Sequence, residues 1–345
     1  MTVPPEIRRG APLLIVGQAP GATEVEKGQP FIGPAGRELW RWAAKAGFTR
    51  EQVSIANVWD RAVPGLPAMT ASTTVARAEG FWHPDMQVAA NRWLRPEWWD
   101  GPERLKREVA EADPTCILAL GNEALWALSG LYGIEARRGA MFRAHGIKAI
   151  ATFHPAAILR GGWANRAFAI GDTKKAWTEA QTPDWPVPTR TLWLEPTLAD
   201  IRTFVRDHLD TASIIGVDIE TARGEITSIA FAPTPQLAIC IPFSVAGRSY
   251  WPSTTDEVEA WRIVKRVCEG PVPKVLQNGL YDAQWLWVIR GIALRNYCHD
   301  TRLAHHALWP EWPKSLGFMG SLHETETWWK MWGVRGATKT DKGDD

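Results

Sequence analysis

The sequence has little of what marks a disulfide-stapled, metal-clustered or membrane-spanning protein. Its four cysteines, Cys116, Cys240, Cys268 and Cys298, form no C-x-x-C pair, so their spacing supports neither a disulfide framework nor a zinc or iron–sulfur ligand set. The apolar run at 13–16 is far shorter than a signal segment or a membrane span. We therefore expect free, mostly buried thiols in a cytoplasmic protein with no membrane partner.

An excess of charge of one sign is also missing. Lys and Arg number 39 against 38 Asp and Glu, which gives a formal net charge of +1. A protein that binds nucleic acid through a broad polybasic surface carries a clear positive excess, so any contact with DNA must here be local. Apolar residues at 45% and charged residues at 22% are typical of a globular chain.

Tryptophan, in contrast, is abundant, with 21 among 345 residues. Six of them form two clusters, Trp93, Trp98 and Trp99, and Trp328, Trp329 and Trp332. Stacking platforms for single-stranded bases are one interpretation. Packing in the core and on the surface is favoured, because no basic residues interleave regularly with these aromatic side chains.

Short apolar segments separated by helical patterns repeat through the first half of the chain. Strands are predicted at 12–17, 53–58, 116–120 and 148–153, and helices at 37–46 and 122–128. Apolar strands that alternate with helices predict a parallel sheet covered on both faces. The fold class expected for residues 1–180 is therefore α/β, with three αβα layers.

A proline-rich stretch at 181–196, QTPDWPVPTRTLWLEP, has no apolar period and predicts an extended linker before a second domain at 197–345. In that domain a helical pattern at 197–209 precedes a strand at 213–219. The segments 225–232 and 236–242 then alternate as two antiparallel strands. A meander followed by helices predicts an α/β fold of the RNase H type.

Four motifs follow one another in the first domain, GQAPGATEVEKGQPFIGPAGREL, IANVWD, ILALGNEAL and TFHPAAILR. The Gly/Pro loop that opens the first motif follows a buried strand, and such a loop offers backbone N–H groups at the edge of a sheet where ligands bind. In this order the motifs resemble the uracil-DNA glycosylase superfamily, and are most similar to its family 4 type from bacteria and phages. The resemblance covers roughly residues 12–177.

The resemblance implies a pocket for an extruded uracil. Phe31 would stack on the base, and the amide of Asn57 would pair with the edge of uracil and reject the different edge of cytosine. His154 would stabilise the oxygen of the departing uracil anion. A core phenylalanine and an asparagine that caps a turn are the alternatives for the first two. The backbone of the first motif would complete the uracil site at Gly17, Ala19 and Gly21.

Two features depart from the family. Gln18 stands where family 4 members usually carry Glu, and Glu24 aligns with a carboxylate proposed to position the attacking water, so both are candidate catalytic residues. Relatives also hold a 4Fe–4S cluster on four cysteines, and none of the cysteines here occupies those places. We therefore expect no iron–sulfur cluster and no cofactor for the glycosylase domain.

The second domain carries paired carboxylates. Asp218 and Glu220 fall on one face of a predicted strand, and QNGLYD at 277–282 and HDTRLAHH at 299–306 follow. This order resembles the proofreading 3′→5′ exonuclease domain of family A DNA polymerases, particularly phage ones. The resemblance implies that Asp218, Glu220 and Asp282 hold Mg²⁺ or Mn²⁺. The auxiliary positions it implies are Asn278, Tyr281 and Asp300.

The polymerase family continues with a Tyr-x-x-x-Asp or His-x-x-x-Asp motif on a later helix, which supplies the last metal carboxylate. No such motif follows residue 299 here. We therefore expect a C-terminally truncated exonuclease domain, degenerate or split, which cleaves DNA feebly unless another chain supplies the missing helix.

Together these features predict an enzyme that removes uracil from DNA, tethered to a degenerate exonuclease domain and serving phage-type replication or base-excision repair. One alternative is a non-catalytic DNA-binding accessory that docks a separately encoded DNA polymerase. Another is a chain in which only the metal-dependent exonuclease is active. Uracil release from DNA separates the glycosylase hypothesis from both alternatives. Metal-dependent shortening of single strands identifies a chain in which only the exonuclease is active.

Overall fold

The computed structural model describes residues 1–185 and 188–324 and divides them into two compact units. The first unit comprises residues 1–185 together with 317–324, and the second comprises 188–316. Within these ranges no helix combines the length and apolar character needed to cross a membrane. The second tryptophan cluster of the sequence, at 328–332, lies outside the described residues.

The strands of the first unit follow the predicted order with additions. They are β1 (Leu13–Gly17), β2 (Val53–Asn57), β3 (Thr70–Ala71), β4 (Gln87–Ala89), β5 (Arg92–Leu94), β6 (Cys116–Leu120), β7 (Met141–Ala144) and β8 (Ile147–Thr152). Its helices are α1 (Ala22–Lys27), α2 (Pro34–Ala46), α3 (Leu66–Met69), α4 (Thr73–Ala78), α5 (Asp100–Ala112), α6 (Gly121–Ser129), α7 (Ile134–Arg137), α8 (Pro155–Leu159) and α9 (Arg166–Ala180).

The main sheet of this unit has the order β2-β1-β6-β8-β7. The first four strands are parallel, and β7 is antiparallel to β8 at the edge. Every residue of β1, β2 and β6 is buried, which requires cover on both faces because successive side chains point to opposite sides of a sheet. Helix α9 packs on β6 and β8, and α5 packs on β2. The predicted parallel α/β sheet is confirmed, with β7 as an unpredicted edge strand.

A small antiparallel sheet of order β3-β5-β4 lies between β2 and α5 in the sequence. Its own cluster of buried side chains consists of Ala71, Ala76, Phe81 and Trp93. Trp93 donates its indole N–H to Thr73 Oγ1 at 2.9 Å. This tryptophan therefore has a packing role, which is the interpretation that the sequence favours.

The second unit contains β9 (Thr191–Trp193), β10 (Ile215–Ala222), β11 (Glu225–Thr234), β12 (Leu237–Pro242), β13 (Ser244–Val245), β14 (Arg248–Ser249), β15 (Lys274–Leu276) and β16 (Tyr297–Asp300). Its helices are α10 (Leu198–Phe204), continued by a π-helical turn at Val205–Leu209, α11 (Thr254–Glu269), α12 (Leu280–Arg290) and α13 (Thr301–Leu308).

The sheet of the second unit has the order β16-β15-β10-β11-β12-β9. The strands β10, β11 and β12 form an antiparallel meander, and β15 and β16 continue the sheet parallel to β10. This arrangement is the α/β fold of the RNase H type that the sequence predicts. Part of the predicted linker belongs to the sheet, because β9 pairs in parallel with β12 from Thr191 to Trp193.

One more segment departs from the predicted domain limits. Helix α14 (Leu316–His323) begins at the end of the second unit, but residues 317–324 pack with the first. Arg138 forms a buried ion pair with Asp172 and donates to Ser321 Oγ at 3.2 Å. Phe318 packs edge-on against Phe168 with ring centroids 5.1 Å apart. The first unit is thus built from two stretches of sequence that flank the second.

Candidate functional site

A cavity of about 670 Å³ opens at the carboxyl edge of the main sheet in the first unit. Parallel strands bring their carboxyl ends to one edge, where open α/β sheets bind their ligands. Seven of the residues predicted from the sequence line this cavity, Gln18, Ala19, Gly21, Glu24, Phe31, Asn57 and His154. They come from the loop after β1, from α1 and the loop that follows it, from the end of β2 and from the loop after β8, so the fold gathers positions that are up to 136 residues apart (154 − 18).

Gly17 lies beneath the cavity rather than in its lining. A Cβ atom built on Gly17 would lie 2.4 Å from Cζ of Phe31 and 2.5 Å from Oδ1 of Asn57. Real carbon atoms do not approach so closely. A glycine at this position therefore allows the aromatic ring and the amide to lie side by side against β1.

The backbone of Phe31 is held in an uncommon conformation. Its φ is 52°, in the left-handed region that non-glycine residues rarely adopt. Its carbonyl accepts the indole N–H of Trp40 at 2.9 Å and a guanidinium N–H of Arg50 at 3.2 Å. A Cβ on Gly36 would lie 2.0 Å from that carbonyl oxygen. These contacts fix where the ring of Phe31 faces the cavity.

Asn57 brings an unpaired acceptor to the cavity. The residue is 6% exposed, and its Oδ1 finds no hydrogen-bond partner among the described residues. Arg104 holds the backbone behind it by donating to the carbonyls of Asn57 at 2.9 Å and Val58 at 3.1 Å. A buried amide oxygen without a partner costs about 1–3 kcal/mol, so its presence in a cavity points to a ligand that donates a hydrogen bond.

His154 presents one defined nitrogen to the cavity. Its Nδ1 accepts the backbone N–H of Ala156 at 3.1 Å at the start of α8. Burial lowers the pKa of His154 to about 4, and the positive charge of Arg160 adds to the lowering. The ring is therefore neutral at pH 7, and because Nδ1 accepts, the proton resides on Nε2. His154 is thus a neutral N–H donor rather than a cation.

The two candidate catalytic residues of the first motif, Gln18 and Glu24, lie in the same cavity with different surroundings. The backbone carbonyl of Gln18 accepts the N–H of Trp59 at 3.0 Å, which ties the loop after β1 to the end of β2. Glu24 is 7% exposed, and its Oε1 accepts the N–H of Gly33 at 2.8 Å. A Cβ on Gly21 would lie 2.7 Å from the other oxygen of Glu24. Glu24 therefore bridges the two loops of the first motif.

The cavity residues that were not singled out from the sequence include two polar ones, Asn122 and Glu123, in the first turn of α6. The Oδ1 of Asn122 accepts the N–H groups of Gly133 at 3.0 Å and Ile134 at 2.8 Å, so it fixes the loop before α7. Glu123 projects into the cavity, and burial raises the pKa of its carboxyl group. The available signal was the position of these polar residues directly after the central strand β6.

In the second unit the paired carboxylates lie on β10. Asp218 and Glu220 are exposed, whereas Asp282, at the start of α12, is 4% exposed and accepts the N–H of Ile219 at 3.0 Å. Burial raises the pKa of Asp282 to about 6, and the charges of Asp218 and Asp300 act in the same direction. Across residues 1–185 and 188–324, no group of three or more His, Cys, Asp or Glu side chains is placed to hold a metal ion.

The hydrogen bond from Ile219 anchors Asp282 to the strand that carries Asp218 and Glu220. Asp300 is committed to local structure: it accepts the N–H groups of Asn278 at 3.2 Å and Gly279 at 2.9 Å and caps α13. The hydroxyl of Tyr281 forms a hydrogen bond with that of Thr221 at 2.7 Å. The binding of Mg²⁺ or Mn²⁺ by this unit stays a prediction.

Comparison with known proteins concerns mainly the first unit. The model of the uracil DNA glycosylase superfamily matches residues 4–179. The type-4 uracil-DNA glycosylase of Archaeoglobus fulgidus is 29% identical over 159 residues, which covers 43% of this chain and 67% of that protein. That of Thermotoga maritima is 27% identical over 156 residues, with 43% and 66% covered. That of Pyrobaculum aerophilum is 45% identical over 56 residues, with 16% and 29% covered.

Solved structures similar to this chain include exonuclease domains. The EXO domain of Aedes aegypti Nibbler has a TM-score of 0.32 at 14% identity and covers 46% of this chain and 82% of that chain. The EXD2 exonuclease domain soaked in Mn has a TM-score of 0.26 at 18% identity and covers 34% of this chain and 58% of that chain. Likenesses this distant add nothing to what the strand order of the second unit shows.

Proposed function

The chain belongs to the uracil DNA glycosylase superfamily, a superfamily of hydrolases, and on that premise we propose that its first unit removes uracil from DNA by hydrolysing the N-glycosidic bond. The observation that carries the proposal is the unpaired Oδ1 of Asn57, buried in a cavity that Phe31 and His154 also line. An acceptor, an aromatic ring and a neutral N–H donor are the groups that an extruded uracil requires.

Recognition rests on the amide of Asn57. The N3–H of uracil donates to the vacant Oδ1, and the amide N–H₂ group donates to O4 of uracil. Cytosine has an unprotonated N3 and an amino group at these positions, so both contacts fail. A site built to accept a hydrogen bond discriminates strongly against a base that lacks the donor, because its buried acceptor would stay unpaired.

Departure of the base rests on His154. As the C1′–N1 bond breaks, negative charge grows on uracil and in particular on O2. The Nε2–H of a neutral imidazole donates to that oxygen, and its strength as a donor rises in a dry cavity. The hydrogen bond from Ala156 to Nδ1 keeps the proton on the nitrogen that faces uracil. Phe31 holds the base by stacking on its face.

The direct test is uracil release from a labelled single-stranded oligonucleotide with one uracil, in EDTA, followed by alkali and a sizing gel. We expect one alkali-dependent cut at the uracil, lost on His154→Ala and retained on His83→Ala, since His83 is exposed and outside the cavity. Removal of a group that stabilises a departing anion costs roughly 10²–10³-fold in rate. An intact strand with the parent protein would refute the proposal and favour a DNA-binding accessory that docks a separate polymerase.

For the second unit we propose a degenerate exonuclease-like domain that binds DNA ends within phage-type replication or base-excision repair, in the cytoplasm of a bacterial host. What supports this is the RNase H-type strand order with Asp218 and Glu220 exposed on β10. The same oligonucleotide with Mg²⁺ or Mn²⁺ tests it. Binding without shortening agrees with the proposal, whereas rapid shortening that Asp218→Ala abolishes would establish an active exonuclease instead.

A further inference from the structure

Glu123 is a cavity carboxylate that the proposed function leaves unused. It is the third residue of α6, directly after β6, and lines the same cavity as Gln18 and His154. A Cβ on Gly121 would lie 3.8 Å from Oε2 of Glu123 and 3.8 Å from Cγ of His154. The carboxylate and the imidazole therefore flank one glycine at the end of β6.

The turn that carries Glu123 also lies beside Gln18. Strands β1 and β6 are parallel neighbours, with Val16 opposite Ala119. Gln18 and Gly121 each follow this pair by two residues, and both line the cavity. Neighbouring strands are about 4.8 Å apart, so a side chain from the first turn of α6 can enter the space that Gln18 faces. The amide of Gln18 cannot take a proton from water, whereas a carboxylate can.

Glu24, the other cavity glutamate, is already engaged. One of its oxygens accepts the N–H of Gly33, and the other is packed against Gly21. Movement of this carboxylate toward a water molecule would break the bridge that holds the loop of Phe31. The hydrogen bond from Gly33 favours a positioning role for Glu24, which leaves Glu123 as the candidate base in this cavity.

We propose that Glu123 is the general base of uracil release, an inference that rests on the proposed function. Its carboxylate takes a proton from a water molecule whose oxygen forms a bond to C1′ of the deoxyribose. The C1′–N1 bond breaks, and its electron pair leaves with N1 of uracil. The uracil anion, stabilised by His154, later takes a proton from solvent, and the protonated Glu123 returns its proton to solvent. The products are uracil and an abasic sugar with a hydroxyl at C1′.

The surroundings of Glu123 suit this role. Burial raises the pKa of its carboxyl group above the ordinary value of 4.5, opposed by its own backbone N–H and by Arg160. Tyr132, in the loop after α6, and His154 lie near it, and Glu24 lines the same cavity. A base must be deprotonated to act, so the rate should fall as the pH falls through this raised pKa. This acidic limb of the pH–rate profile lies above the pKa of about 4 at which His154 becomes charged.

The test is single-turnover uracil release in EDTA from about pH 3.5 to 9 with the parent, Glu123→Gln and Glu135→Gln. Glu135 is the matched control, an exposed first-turn glutamate of α7 outside the cavity. We expect Glu123→Gln to lower the maximal single-turnover rate by roughly 10²–10⁴-fold, with little change in the enzyme concentration that gives half of that rate. The acidic limb of the pH–rate profile of Glu123→Gln should move down to the pKa of His154, about 4. Glu135→Gln should keep the parent rate and profile.

A Glu123→Gln rate within about threefold of the parent, or an unmoved acidic limb, overturns the inference and leaves the glycosylase proposal intact. An inactive parent overturns both, so the two failures are distinguishable. Thermal melting checks the fold of the variant. Should Glu123→Gln fail to fold, the parent profile still decides: an acidic limb above 4.5 supports the inference, and a limb at about 4, the value for His154, overturns it.

Discussion

The close contact beneath the cavity gives the sharpest prediction, the substitution Gly17→Ala. The added methyl group would meet Cζ of Phe31 at 2.4 Å and Oδ1 of Asn57 at 2.5 Å. Carbon atoms pack at about 3.5–4.0 Å, so the ring must withdraw by about 1 Å. Its backbone is held by Trp40 and Arg50, so the shift falls on the side chain and moves the ring away from its position in the cavity.

Two magnitudes follow for Gly17→Ala. Overpacking of this kind costs about 1–3 kcal/mol of unfolding free energy. A shift of about 1 Å in a substrate-contacting group costs on the order of 10²-fold in rate. We expect uracil release to fall by that factor while the chain stays folded, since the main sheet is otherwise unchanged. Single-turnover uracil release and urea denaturation measure the two effects separately.

The matched control is Gly171→Ala in α9. A Cβ on Gly171 meets no described atom within 4 Å, and alanine is favoured over glycine inside a helix by about 1 kcal/mol. This variant should keep its activity and gain slightly in stability. Full activity of Gly17→Ala would refute the reasoning, because it would mean that Phe31 and Asn57 need not lie where the structure has them.

Arg138→Met should lower the free energy of unfolding by about 3–5 kcal/mol, since it leaves Asp172 buried without its cation. Arg95 pairs with Glu79 in a more exposed place, so Arg95→Met should lower it by less than about 1 kcal/mol. Urea denaturation of both variants checks this, and equal costs would contradict it. The pKa of Asp282 is about 6 in the folded protein, above its ordinary value of 3.8. The folded state therefore holds this proton more tightly than the unfolded state does, and the stability that this contributes at low pH is lost as the pH rises through about 6. The loss reaches about 3 kcal/mol. Asp282→Asn, which can still accept the N–H of Ile219, should remove that part of the pH dependence, and an unchanged difference between pH 4 and pH 7.5 would count against it.

Much of the first unit could be predicted because its strands are buried on both faces. Such strands give continuous apolar runs, as in LLIV of β1 and CILAL of β6, and these runs are visible without any partner. The strands β3, β4 and β5 have two or three residues each. A period of two cannot be recognised over so short a length, so this small sheet could not be predicted.

The site was predictable to the extent that strand ends determine it. The motifs place Asn57 at the end of a parallel strand and Gln18 and His154 just after two others, and such ends meet at one edge of the sheet. The conformation of Phe31 was not predictable, because hydrogen bonds from distant side chains impose its positive φ. Glu123 was missed because an acid in the first turn of a helix is ordinary in sequence, and only the neighbouring strand β1 turns its position into a cavity wall.

Composition marks no boundary at residue 317, where the chain returns to the first unit, so this return could not be predicted from the sequence. Arg138 and Asp172 are both 2% exposed, and a buried ion pair is stable only when further hydrogen bonds satisfy its remaining donors. Thr152 donates to Asp172, and Ser321 accepts from Arg138. The second of these partners follows the whole second unit in sequence. The proline-rich linker marks where the chain leaves the first unit, but the polar requirement of Arg138 is met only after the chain has returned, so the stability of the glycosylase fold depends on residues beyond the second unit.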